Sequence, residues 1–216
     1  MNLTIHGIVA SRAVRPLWAA AELGLPFEHV PTPYKDGATR TPEFLALNPN
    51  GHIPVMVDHR PDGDVVVWES MACALYVARQ HGRGDGSDLA PATAAEDADA
   101  LRWSFWTVTE LEKDALTVLM HRVSMPADQR KPELAEAAAK RLRVPLRVLE
   151  AHLQRQQARG HSHLAAERFT IADLCVASVL NWARAASDLW ADFPLTSAWL
   201  HGCVNRPALV QLRAQA

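Results

Sequence analysis

Two short apolar runs, IPVMVD (residues 53–58) and DVVVWE (64–69), are parted only by the stretch HRPDGD, with its Pro, Asp and Gly. A connection this short cannot cross a sheet, so the two runs are predicted to pair as an antiparallel hairpin. The chain before them alternates strand and helix signals. LTIHGIV is rich in β-branched residues and reads as a buried strand. SRAVRPLWAAAELGLP then carries Val14, Leu17, Trp18 and Ala21 at helical spacing, with Ser11 in an N-cap position and Gly24 and Pro26 at its end. FEHVP alternates apolar and polar residues, and TPEFLALNP opens a short helix with Thr41 and Pro42. After the hairpin a helix runs from Glu69 to about Gln80 and buries Met71, Ala74, Leu75 and Ala78. The first two strands, joined by a crossover helix, must be parallel. The order βαβαββα therefore describes an α/β domain with a mixed four-stranded sheet.

From Ala92 onward there is no convincing strand, and Ala and Leu dominate. Gly82, Gly84, Gly86 and Pro91 mark the change, so we expect a first domain over 1–82, a linker over 83–91 and an all-α domain over 92–216. Residues 92–122 read as one long helix, and 131–157 as another that Pro145 is expected to kink. Thr170 and Asp173 form a capping box that starts a further helix, with Phe169 as its staple. On capping alone, Asp173→Ala is expected to cost on the order of 1 kcal/mol. The chain ends in a helix, a break before Pro207 and a short terminal helix.

A formal net charge of −2, with 21% charged residues, gives no reason to expect nucleic acid or an anionic membrane as partner. No apolar run approaches the roughly 20 residues needed to span a bilayer, and the start MNLTIHGIV does not read as a cleavable leader, so a cytoplasmic protein is expected. Cys73, Cys175 and Cys203 are far apart in apolar surroundings, which suits buried reduced thiols and neither disulfides nor a metal.

NPNGHIPV (48–55), Glu69-Ser70, FTIADL (169–174) and a terminal tryptophan followed by RPAL (206–209) occur in this order across both halves. In that order the chain resembles the cytosolic glutathione transferases, of the bacterial, serine-type kind, over essentially its whole length. The resemblance implies a thioredoxin-like first domain that binds glutathione as co-substrate, without a metal, and a detoxifying homodimer. The dimer finds loose support in Met71 and Trp103. A proline entering a strand is cis where the residue before it must turn its backbone outward, here Ile53-Pro54. Ile53 can then pair with the backbone of glutathione by strand addition. Glu69 and Ser70 open a helix whose free N–H groups suit the γ-glutamyl carboxylate, with Glu69 meeting the ammonium. His52 is the residue for the glycine carboxylate. The plainer alternatives are a trans proline entering a strand, a helix cap at Glu69-Ser70 and a solvent-facing His52.

The expected reaction is stabilisation of the glutathione thiolate and its conjugation to a hydrophobic electrophile. Bringing a thiol from a pKa of about 8.5 down by about two units takes roughly 2.7 kcal/mol, more than the 0.3–1 kcal/mol a helix end usually supplies. Ser11 is the candidate hydroxyl donor, with Arg12 and Arg15 nearby; several classes of the family place that donor one position earlier, where this chain has Ala10. Ser11 is thus either the donor or an N-cap. Val9, Tyr34, Trp103 and Trp106 are candidate walls for the electrophile, expected between the domains; for the tryptophans the alternative is a core stripe. Two other functions stay open: a glutathione-dependent disulfide or peroxide reductase, and a non-catalytic binding or regulatory module. The absence of a loop cysteine favours transfer.

Overall fold

The computed structural model describes residues 2–215. Its contacts divide the chain into two compact units, one reaching Ala92 and including the segment from Arg206 onward, the other Thr93–Asn205.

In the first unit, β1 (Leu3–His6), α1 (Val14–Glu22), β2 (Glu28–Val30), α2 (Pro42–Leu47), β3 (Val55–Asp58), β4 (Val65–Trp68) and α3 (Ser70–His81) follow the order expected from sequence. The sheet order is β2-β1-β3-β4, with β1 and β2 parallel and the other pairs antiparallel. Every residue of β3 is buried, which suits its continuous apolar run, whereas β4 at the edge alternates half-buried and exposed residues. Ile5, Leu17, Trp18 and Met56 lie in the core with almost no exposed surface.

α1 packs on α3 and on the terminal helix α10 (Pro207–Ala214). Arg206, just before α10, pairs with Glu22 at the end of α1. The sequence reading grouped 206–216 with the helical domain; in the contacts this segment belongs with the first unit. Residues 83–91, read as a linker, also fold back onto it. Asp88 accepts from the N–H groups of Arg83 (2.7 Å) and Ala90 (2.8 Å), and Ala90 lies so close to Gly82 that a Cβ there would fall 2.4 Å from its own.

Asp58, at the end of β3, is a buried carboxylate held by three donors. Arg60 Nε donates at 2.8 Å, Tyr76 Oη at 2.9 Å and His81 Nε2 at 3.1 Å. Burial works against its charge, but the bonds from Arg60 and Tyr76 and the attraction of His81 outweigh it and hold the pKa below its ordinary value of 3.8. A depressed carboxyl stabilises the fold above its unfolded pKa, and that contribution is lost as pH falls through the folded one. Asp58→Asn should therefore lower stability at neutral pH, with a gap to wild type that closes only below pH 3.8. Urea unfolding at stepped pH reads this directly, and a gap constant down to pH 2 would contradict it.

In the second unit, the stretch read as one helix forms α4 (Ala94–Trp106), a π turn (Thr107–Leu111), α5 (Glu112–Leu119) and a second π turn (Met120–Ser124). At the first π turn, Thr107 Oγ1 donates to the Trp103 carbonyl (2.7 Å) and competes with the regular ladder there. α6 (Pro132–Gln157) runs through Pro145 without interruption. α7 (Ile171–Leu180) is buried at every residue and contacts α4, α5 and α9 (Pro194–Val204), with the single turn α8 (Ser187–Trp190) before α9. Among the described residues no helix is long and apolar enough to cross a membrane, and no cluster of His, Cys, Asp and Glu is placed to hold a metal ion.

Candidate active site

The loop between β1 and α1 begins at Gly7, whose φ of +133° is open only to glycine. Its N–H donates to the Val30 carbonyl (2.9 Å), and its own carbonyl accepts from His29 Nε2 (2.7 Å). A Cβ at Gly7 would fall 2.7 Å from that of Ala13 and 3.2 Å from that of Ile53. Glycine thus lets one loop lie against both the start of α1 and the residue before Pro54. Ser11 is half-buried in this loop. Its hydroxyl donates to the Ile8 carbonyl (2.6 Å) and accepts from the Ala13 N–H (3.1 Å). The N-cap reading of Ser11 is corrected here: α1 starts at Val14, because the hydroxyl closes the turn before the helix instead of capping it.

The second loop is built on Asn48, which is buried. Its Nδ2 donates to the His52 carbonyl (2.8 Å), while its Oδ1 accepts from Asn50 N (3.0 Å) and Nδ2 (3.1 Å). Gly51 turns the chain at φ +61°, over Arg40, and a Cβ there would lie 2.6 Å from Arg40 Nη1. Arg40 Nη1 in turn donates to the Asn50 carbonyl (3.2 Å), which puts an exposed cation beside the exposed His52. Sequence reading missed Arg40 and Asn48. A basic residue just before Thr41-Pro42 and a turn-forming Asn ahead of Pro-Asn-Gly were the available signals. Ile53-Pro54 is cis, and Ile53 has no hydrogen-bond partner among the described residues. β3 begins only at Val55, opposite His6.

The third piece is the start of α3. Glu69, exposed, takes φ +68° and ψ 114°, a backbone region that costs a non-glycine residue about 1–3 kcal/mol and concentrates at functional sites. Ser70 follows as the first residue of the helix, only 4% exposed, and its Oγ accepts a 2.6 Å hydrogen bond from Arg15 Nη1. Arg15, read from sequence as a neighbour of the thiol, thus reaches the Ser70 end of the site.

Of the candidate electrophile walls, Val9 is buried and Tyr34 exposed in the first unit. In the second, Trp103 is 4% exposed, its ring edge-on to Trp106 (5.0 Å) and to His152 (4.8 Å), while Trp106 is half-buried. Met71, like Trp103, is covered within the chain, so neither residue offers an interface.

All three cysteines are free and buried. Burial pushes the Cys73 thiol up to about 12, with Glu69 adding to the rise, and its Sγ donates to the Val67 carbonyl (3.3 Å). A thiol reagent at pH 8 should find none of the three in the native protein and all three in denaturant. Rapid native labelling of Cys73 would contradict its burial.

Comparison with known proteins bears on this geometry. Residues 11–80 match the family described as glutathione S-transferase, N-terminal domain, and residues 111–207 match glutathione S-transferase, C-terminal domain. Glutathione S-transferase 3 of Zea mays is 34% identical over 95% of this chain and 90% of its own. The apo structure of glutathione S-transferase III superposes with a TM-score of 0.80 at 34% identity, covering 99% of this chain and 96% of that one. The disulfide-bond oxidoreductase YfcG of Escherichia coli (strain K12) is 34% identical over 83% of this chain and 80% of its own.

Proposed function

Because the chain belongs to the glutathione S-transferase family, we propose that it binds glutathione at the three loops of its first unit and transfers the thiolate to a hydrophobic electrophile. The observation that carries this reading is the pair of unpaired backbone groups at Ile53, next to the cis Pro54 and against the Ser11 loop. A small peptide completes such an edge by two main-chain hydrogen bonds. The γ-glutamyl carboxylate then meets Ser70 and the free N–H groups of α3, its ammonium meets Glu69, and the glycine carboxylate meets His52 and Arg40. Ser11 donates to the sulfur. The thiol proton leaves to solvent, the sulfur lone pair forms the bond to carbon, and the leaving group departs with the bonding pair. On the electrophile side, Val9 and Tyr34 of the first unit are the proposed contacts; Trp103, in the second unit, has little surface to offer.

Titrating glutathione by calorimetry, while following thiolate absorbance, tests the reading. Saturable binding with a thiolate midpoint clearly below the free value of about 8.5 is expected, and absence of binding would defeat it. The likeness to a disulfide-bond oxidoreductase favours a second reading, glutathione-dependent disulfide reduction. With no cysteine between Gly7 and Ala13, and Cys73 buried, turnover of an activated aryl halide is expected to exceed that of a disulfide substrate. A cytoplasmic, detoxifying homodimer completes the proposal. Trp68 on β4 and Phe105 on α4 are large apolar residues left exposed for a partner, and sedimentation at twice the chain mass is the check.

A further inference from the structure

We infer that the second unit carries a binding site of its own, for an aromatic molecule bearing a hydrogen-bond donor such as a phenolic hydroxyl. The site is a cavity of about 360 Å³ where α9, the end of α6 and the loop 161–163 meet. Every residue lining it lies within Thr93–Asn205, so it stands apart from the three loops proposed to hold glutathione and does not rest on that reading. Its volume is at the lower end of the roughly 300–1,000 Å³ of small-molecule pockets. Leu153, Leu195 and Trp199 give it apolar walls, and Ala198 and Gly202 are exposed, which leaves it open to solvent.

The walls are fixed before any ligand arrives. Trp199 Nε1 donates to Asp173 Oδ1 (2.9 Å), which commits the indole's polar edge and holds its ring. Gln156 Nε2 donates to the carbonyls of His163 (3.0 Å) and Leu164 (3.1 Å), and the His161 N–H donates to the Gln156 carbonyl (2.9 Å), so the loop is tied to the end of α6. A pocket held in this way has little left to order on binding.

His163 supplies the polar group. Its Nδ1 lies 3.2 Å from the Glu167 carbonyl oxygen and 2.9 Å from Ser162 Oγ. A carbonyl only accepts, so Nδ1 carries the proton, and a neutral imidazole protonated there keeps Nε2 as an acceptor. His163 is half-buried, and its Nε2 has no partner among the described residues. Phe169, edge-on at 6.2 Å, holds the ring in place. An acceptor beside apolar walls selects a ligand that donates, whereas a carboxylate would set acceptor against acceptor. The indole and leucine surfaces suit a flat ring.

Gly202 is the second sign of a ligand. It sits in the last turn of α9 without a positive φ, and a Cβ there would meet nothing within 4 Å. Neither backbone conformation nor a close neighbour requires glycine, which weakens a helix relative to alanine. Its missing side chain leaves the cavity open.

The test measures binding of 2-naphthol, and of 2-methoxynaphthalene, which lacks the donor, by equilibrium dialysis without glutathione. Wild type should bind both saturably. Gly202→Leu and Ala198→Leu fill the cavity from two exposed positions, and each should weaken both probes at least about tenfold with the melting temperature held or raised. His163→Phe keeps a ring and removes the acceptor; it should weaken 2-naphthol about 3–10-fold and 2-methoxynaphthalene by less than about twofold. Naphthol held at the electrophile contacts of the first unit would bind the two leucine variants as well as wild type, and that result overturns the inference. So does equal weakening of both probes by His163→Phe, or no binding to wild type. Circular dichroism identifies a variant that fails to fold; either leucine variant suffices, and His163→Phe decides alone should both fail.

Discussion

Ser11→Ala is expected to raise the pKa of bound glutathione by about 1–2 units and to cut conjugation about 10–100-fold near pH 6.5. A hydrogen bond to a charged group is worth about 1.5–3 kcal/mol, and 1.36 kcal/mol is one pKa unit. The sign follows from what is lost: without the donor the thiolate is less stable, so less of it exists below the raised pKa. The deficit should shrink as pH climbs past about 8.5, where even free thiol ionises. In the structure the Ser11 proton is committed to the Ile8 carbonyl at 2.6 Å, so donation to sulfur requires the hydroxyl to turn. Ser11→Thr keeps the hydroxyl and should retain most activity. A flat pH profile for Ser11→Ala, equal to wild type, would transfer thiolate stabilisation to Arg12 or to the loop backbone.

The largest expected loss of stability is at Asp173. Capping alone suggested on the order of 1 kcal/mol, but the structure gathers four donors on this fully buried carboxylate. Oδ2 accepts from Thr170 N and Oγ1, both at 2.9 Å, and Oδ1 from Leu164 N (3.0 Å) and Trp199 Nε1 (2.9 Å). Alanine leaves these donors without water or partner, each at a cost of about 1–3 kcal/mol before relaxation. We expect Asp173→Ala to lose about 3–5 kcal/mol, comparable to breaking a buried charged network. At about 2–4 °C per kcal/mol for a chain of this size, the melting temperature should fall by on the order of 10 °C. Asp173→Asn fills the same volume but turns an amide NH2 toward some of the same donors, and should recover little. Thermal unfolding decides, and a loss confined to about 1 kcal/mol would mean that only the cap is lost.

The two residues illustrate which parts of the molecule are legible from sequence. Thr170 and Asp173 are three apart, and the capping box they form is a local pattern. That Asp173 also ties the 160s loop and α9 to α7 depends on Leu164 and Trp199, 9 and 26 residues away. The parallel first pair and the antiparallel last pair of strands were equally readable, because the length of a connection decides which way its strands pair. Ile53-Pro54 and Glu69-Ser70 stood out through residue type alone. The start of α1 was placed two residues early, because a serine hydroxyl that closes a turn and one that caps a helix look alike in sequence.

The sequence by itself determined where strands and helices form and which residues stand at the loop mouths, since hydrophobic period, turn residues and caps act over a few positions. Tertiary structure decided what those residues face. Arg15 and Ser70 are 55 positions apart and meet only because α1 packs on α3. Arg40 comes under Gly51 only because the 48–52 loop folds on Asn48, and α10 joins the first unit only through α1 and Glu22. Such contacts depend on which faces are left to bury once the elements exist, and no local pattern in the chain encodes that choice.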